Sequence, residues 1–243
     1  MATDKTVTDL VLNYLFPQPQ YVPENGLNGL RLKSVITIII LLLLNISCQN
    51  EQQVEKKGIV QKKELPTKKI KAPTKIQILS GLFDKNPTYR SNGFDFPVGK
   101  PHAKGYYNAQ KFGKNNHLGD DWNSVKGGNS DLGDPIYATS NGYVHFCEDL
   151  GGGWGKVIRM VHQLEDGRLI ESVYAHCDKI LVESNRFVNK GEKIGTIGNC
   201  NGMYLAHLHF EIRSDIEMGI GGGYSDNQTG YLDPTEFINK NRK

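Results

Sequence analysis

Two histidines separated by one residue, His207 and His209, sit in the run Tyr204-Leu205-Ala206-His207-Leu208-His209-Phe210-Glu211-Ile212. Successive side chains of a strand point to opposite faces, so the alternation groups both imidazoles on one face and Leu208, Phe210 and Ile212 on the other. Seated on its apolar face, such a strand holds two imidazoles rigidly over an open side, which suits a metal ion. His117-Leu118-Gly119-Asp120-Asp121 offers an imidazole and a carboxylate four residues apart, with Gly119 free to let the backbone turn both toward one ion. Ser172-Val173-Tyr174-Ala175-His176-Cys177-Asp178 reads as a further strand, with Ser172, Tyr174 and His176 on one face and Val173, Ala175 and Cys177 on the other. Catalytic zinc takes three protein ligands and leaves a fourth position for water. The supply here exceeds three, which leaves imidazoles for acid and base work.

Taken in order, H-x-G-x-D, Y-A-H and H-L-H-F-E-I resemble the signature of the lysostaphin-type (LytM-type) zinc metallopeptidases, which cut the peptide part of peptidoglycan. The resemblance runs from about Gly93 to Ile238. It includes Gly133-Asp134-Pro135-Ile136-Tyr137-Ala138 with Gly142-Tyr143-Val144, then Val188-Asn189-Lys190-Gly191-Glu192-Lys193-Ile194-Gly195, and Leu232-Asp233-Pro234. It implies a mainly β fold, a duplicated hybrid motif of antiparallel sheets with an open substrate groove and few short helices. It further implies one Zn2+ per chain, held by His117, Asp121 and His209, with water in the fourth place. His176 and His207 would then stand beside that water and the substrate carbonyl, one moving the proton and the other steadying the oxyanion; the residues do not say which. Asp120 is one step off the H-x-G-x-D spacing and is expected to face solvent or to lie behind the ligands.

The family cleaves glycine-rich bridges or direct stem-peptide cross-links containing D-amino acids, so peptidoglycan stem peptides or cross-bridges are the implied substrates. Some relatives have lost ligands and act as non-catalytic binding or amidase-activating proteins; retention of all five key residues argues against that here. Asn201-Gly202-Met203-Tyr204-Leu205-Ala206 departs from the family's small, polar run, which bears on groove shape.

The elements that must position these groups are short alternating runs between turn signals. Strands are expected at 94–98, 136–137, 142–146, 156–161, 170–175, 194–197 and 208–212, with turns at Asn141-Gly142, Glu165-Asp166-Gly167 and Asn189-Lys190-Gly191. Asp233 as N-cap with Pro234 in the first helical position can open a short helix. His102, His145 and His162 are expected to be structural or surface residues. The loops at Gly151-Gly152-Gly153-Trp154 and Gly221-Gly222-Gly223-Tyr224 either flank the groove, with Trp154 or Tyr224 on substrate, or are plain turns.

The 243 residues carry a net charge of +3, too little to argue for nucleic acid. Residues 49–76 hold eight Lys against three Glu, so the basic character belongs to that segment and the remainder is close to neutral. Its Lys, Glu, Gln, Pro and Thr cannot bury enough surface to order it, and it reads as a linker of roughly 30 Å average span. Before it, Arg31 and Lys33 lead into an apolar run from Val35 to Leu44, too short to cross a bilayer, followed by Ser47-Cys48. Residues 31–48 therefore resemble a lipoprotein signal whose Cys48 becomes lipidated, anchoring the chain to a membrane of the cell envelope. Residues 1–30 form an extension of unassigned role, with the natural start expected nearer Leu30 or the piece removed with the signal. A peptidase domain is expected over 77–243. Cys147, Cys177 and Cys200 are an odd number for an exported domain, so one pair with a free thiol and no pair at all are both open.

Overall fold

The computed structural model describes residues 72–243. The extension, the signal with Cys48 and the linker up to residue 71 lie outside the described residues.

Helix α1 (Lys75–Lys85) opens on a capping box in which Thr74 Oγ1 accepts from the Gln77 backbone N–H and the Gln77 side chain accepts from that of Thr74. It begins two residues before the domain boundary expected at 77, and the Thr-x-x-Gln pattern was the signal for it. One turn apart, Leu79 and Phe83 bury one helical face against Tyr143, Val161 and Ile216.

The rest is antiparallel sheet. Its strands are β1 (Tyr106–Gln110), β2 (Asp120–Ser124), β3 (Pro135–Tyr137), β4 (Gly142–Asp149), β5 (Lys156–Gln163), β6 (Leu169–Ile180), β7 (Arg186–Val188), β8 (Lys193–Ile197), β9 (Leu208–Arg213) and β10 (Tyr231–Leu232). The main order is β1-β2-β9-β6-β5-β4-β7, while β10 joins β9 and the far end of β6 pairs β8, which in turn pairs β3. Helix α2 (Pro234–Lys240) starts as expected, with Asp233 accepting from the Glu236 N–H and Pro234 in the first turn.

The alternation expected of the His207–Ile212 run is present. Leu208, Phe210 and Ile212 are fully buried in a core shared with Ile158, Met160, Tyr174 and Ile238, each contributing about 2–3 kcal/mol of burial. His209, Glu211 and Arg213 take the opposite face.

One strand that holds the site, β2, escapes the sequence signals. The sequence of β2, Asp-Asp-Trp-Asn-Ser, is poor in strand formers, yet all but Asn123 are buried because β2 is sandwiched between β1 and β9. Conversely, residues 94–98 form no strand. Phe94, Phe96 and Val98 reach the core, but their backbone bonds scatter to Asn241, Thr139 and Pro101, and Pro97 has no N–H to offer a ladder.

Candidate metal centre and active site

Strands β2 and β9 pair so that Asp121 lies directly opposite His209, and β6 places Ala175 on the other side of His209. His117 enters from the loop before β2, where its backbone bridges Tyr224. Three donor atoms converge: His117 Nε2 lies 3.0 Å from His209 Nδ1, His209 Nδ1 3.0 Å from Asp121 Oδ1, and His117 Nε2 3.3 Å from Asp121 Oδ1. This is the one group of three or more His, Cys, Asp or Glu suited to a cation among the described residues. A tetrahedral zinc with ligand distances of 2.0–2.1 Å has ligand edges of about 3.3 Å, so the donor set fits that ion. The outer nitrogens are informative too. His209 Nε2 faces Glu211 Oε1 at 3.0 Å, the carboxylate backing that metal-bound histidines use to fix the tautomer. His117 Nδ1 has no hydrogen-bond partner, so a cation facing Nε2 would itself decide that ring's tautomer.

Electrostatics follow from this packing. Burial alone would raise the Asp121 pKa, but hydrogen bonds from His117 and His209 outweigh it and hold the carboxyl well below its usual range. Burial would lower that of His209, but Asp121 and Glu211, one on each ring nitrogen, raise it to about 9. Without a cation His209 therefore carries a proton at neutral pH, and metal binding must displace it.

His176 reaches the same pocket by a route that alternation does not supply. Between Tyr174 and Cys177 strand β6 takes one more step than β5 does opposite it, a bulge in which His176 adopts φ 59°. Left-handed backbone costs a non-glycine residue on the order of 1 kcal/mol or more. The bulge turns the imidazole away from the core face it would share with Tyr174 and drops Cys177 into the core instead. The expected grouping of Ser172, Tyr174 and His176 on one face is thus broken at the histidine, and bulges that re-aim one side chain beside a site are a recurrent device. His176 sits 4.7 Å from His207, ring centre to ring centre, and burial together with the charges of His209 and His207 lowers its pKa to about 3. His207 Nε2 is 3.8 Å from Asp121 Oδ1. All five residues singled out by motif therefore come together.

Over them opens a pocket of about 460 Å³. Trp154 and Tyr224 both line it: the indole lies edge-on to His209 at 5.5 Å, and the phenol ring lies 5.0 Å from His117. Of the two readings for the glycine-rich loops, flanking the groove is the one the geometry bears out. Gln110 and Tyr204 also line the pocket; no motif marks Gln110, while Tyr204 belongs to the 201–206 run whose departure bears on groove shape. Cys200 Sγ lies 3.3 Å from His176 Nδ1, a contact that no sequence spacing signals. The three described cysteines are free thiols.

Asp120 departs from expectation. It is 1 % exposed, on the opposite side of β2 from Asp121, where it accepts from Thr235 Oγ1 at 2.6 Å and from the Phe112 N–H at 3.1 Å. Adjacent strand residues face opposite ways, so it faces neither solvent nor the ligands but ties β2 to α2, and burial raises its pKa.

Of the other histidines, His102 is exposed beside Arg242, His145 is buried against Glu171, and His162 is buried between Asn141 O at 2.8 Å and Ser172 Oγ at 2.7 Å. Burial lowers the His162 pKa to about 4. The unfolded chain then binds a proton that the native state refuses as pH falls from 6.5 toward 4, so stability declines with falling pH across that window. At 1.36 kcal/mol per unit the ceiling is on the order of 3 kcal/mol. Thermal unfolding of His162→Gln and wild type, both in chelator, should show a flatter slope for the variant between pH 4 and 6.5; parallel slopes would contradict this assignment.

Comparisons with known sequences point to one family. A model of peptidase family M23 matches residues 120–222, a window that opens three residues after His117. Lipoprotein NlpD of Yersinia enterocolitica is 42% identical over 81 residues, covering 33% of this chain and 78% of that protein. Murein hydrolase activator NlpD of Escherichia coli (strain K12) is 40% identical over 81 residues, and peptidoglycan DD-endopeptidase ShyB of Vibrio cholerae 30% over 81; each alignment covers 33% of this chain but only 20% and 18% of those proteins. Given identity of that level across most of the length of a relative, and a β scaffold that brings the motif residues to one pocket, the chain belongs to peptidase family M23.

Proposed function

We propose that this protein is a zinc-dependent endopeptidase that hydrolyses peptide cross-links of bacterial peptidoglycan, anchored in the cell envelope through lipidated Cys48. The convergence of His117 Nε2, Asp121 Oδ1 and His209 Nδ1 within 3.3 Å of one another, beneath an open pocket, carries the reading. Those three residues would hold zinc, which when bound supplies a water of lowered pKa and polarises the scissile carbonyl.

The remaining roles follow from hydrogen bonds. His207 Nδ1 lies 2.8 Å from the Leu205 carbonyl, which can only accept, so Nδ1 keeps the proton and Nε2 presents a lone pair on the side of Asp121. That makes His207 the group to take a proton from the attacking water and return it to the leaving amine. His176, beside His207 on the wall of the same pocket, is then the imidazole placed to face the developing oxyanion. Trp154 and Tyr224 offer apolar walls to the substrate backbone.

The second reading is a non-catalytic murein hydrolase activator, favoured by similarity to the murein hydrolase activators NlpD, 35–40% identical to this chain over 81–100 residues. Digestion of defined muropeptides with mass spectrometry of the products separates the two and names the bond. An endopeptidase releases cleaved peptides and loses this on chelation; an activator releases none. His207→Ala should keep zinc while lowering kcat by about 10²–10⁴-fold. Unchanged kcat in that variant would remove His207 from the reaction.

A further inference from the structure

We propose that Glu211 and Arg213 are positioning residues, through which one buried charge ladder sets metal affinity and groove shape together. The inference rests on the zinc reading above and deepens it. Alternation along β9 lines up His209, Glu211 and Arg213 on one face, with Glu171 of β6 directly opposite Arg213. Glu211, Arg213 and Glu171 have no exposed surface.

The contacts run in sequence. Glu211 Oε1 meets His209 Nε2 at 3.0 Å, and Glu211 Oε2 accepts from Arg213 Nε at 2.7 Å. Arg213 Nη1 lies 3.7 Å from Glu171 Oε2, and Glu171 takes both Nε and Nη2 of Arg159 at 3.0 and 2.8 Å. Two carboxylates and two guanidiniums balance in charge. Removing each from water costs several kcal/mol, and an apolar row of similar volume would pack as well. A packing role alone therefore does not account for the ladder.

Its two ends supply a role. At the first, a carboxylate that can only accept holds a proton on His209 Nε2, so Nδ1 is the nitrogen left to turn its lone pair to a cation held with Asp121 and His117. At the second, the guanidiniums hold three successive carbonyls: Arg159 Nη2 donates to Met218 O, Arg213 Nη1 to Gly219 O and Arg213 Nη2 to Ile220 O, each at 2.7 Å. The chain then forms the groove wall. Gly221 O accepts from Trp154 Nε1 at 3.1 Å, Gly223 O accepts from Leu118 N–H at 2.9 Å, and Tyr224 bridges His117. The wall that starts at the Arg213 clamp thus ends on the other candidate ligand, so a shift at Arg213 reaches His209 through Glu211 and His117 through the wall.

The test is zinc affinity of the purified full chain at pH 7, by competition with a chromogenic chelator, on protein shown to be folded by circular dichroism. In Glu211→Gln, the amide oxygen that accepts from Arg213 leaves an NH2 facing His209 Nε2, which pushes the imidazole proton onto Nδ1. Zinc affinity should fall 10–100-fold. In Arg213→Lys a single nitrogen cannot span the partners that Nε, Nη1 and Nη2 of the guanidinium reach separately; it should lose about tenfold in zinc affinity and shift the Trp154 emission as Gly221 moves. It decides the matter alone if Glu211→Gln does not fold. A merely structural ladder predicts lower melting temperatures with wild-type zinc affinity, and that result overturns the proposal while leaving the endopeptidase reading intact. Wild-type protein that takes up no zinc overturns that reading, and this one with it.

Discussion

His209→Ala is expected to give a protein that binds no zinc and cleaves no peptidoglycan peptide. The substitution removes the donor that faces both His117 and Asp121, leaving two ligands where a catalytic zinc needs three. It forfeits both the lowered pKa of the water and the polarised carbonyl, several kcal/mol of transition-state stabilisation and hence about a thousandfold or more in kcat/KM. Chelated wild type should recover on added zinc, whereas the variant should not. Stability should fall as well. In the metal-free protein the His209 ring is a hydrogen-bond partner of both the Asp121 and Glu211 carboxylates; Glu211 keeps Arg213, so the loss falls mainly on Asp121 and costs about 1–3 kcal/mol. Atomic absorption on the purified protein and the muropeptide digest both report; full activity in His209→Ala would end the proposed mechanism.

Gly119→Ala is expected to damage the site nearly as much without touching a ligand. A Cβ there would lie 2.5 Å from Phe210 O, 2.9 Å from Glu211 Cγ and 3.1 Å from His209 Cε1. The first of these is backbone, so relief requires β2 and β9 to separate at the point where Asp121 and His209 face each other. Overpacking of this kind costs about 1–3 kcal/mol or more, and displacement of one donor by a few tenths of an ångström should also weaken zinc. Melting temperature and zinc affinity should fall together. A variant with wild-type values for both would mean that the strands absorb a methyl group at this point. The reason for glycine here is close approach: Gly119 has no left-handed φ, unlike the turn-making role its place in H-x-G-x-D suggests.

Several elements were open to reading because their signals are local. Period-two alternation placed His209 opposite a buried apolar row, and an Asp-Pro pair announced the last helix. Others were hidden by their surroundings. In β2, Asp120 and Asp121 disfavour a strand and are buried only because distant partners, Thr235 on one face and the two histidines on the other, satisfy them. Glu211 stood in the motif and Arg213 just beyond it at the same alternation, but their meaning depends on Glu171 and on carbonyls of a loop that no spacing points to.

By itself the sequence determined the family, the residue types of the candidate site and the face of β9 that carries two of them, since residue type and alternation are properties of a few neighbouring residues. Only the tertiary structure decided that His176 turns into the pocket rather than the core, that Asp120 knots the far side of its strand, and that a loop is clamped to the site by buried arginines. Those outcomes depend on a bulge, on strand neighbours and on carbonyls far away in the chain, where the free energy of burying a charge or a polar group is settled by whichever partner the fold brings within reach.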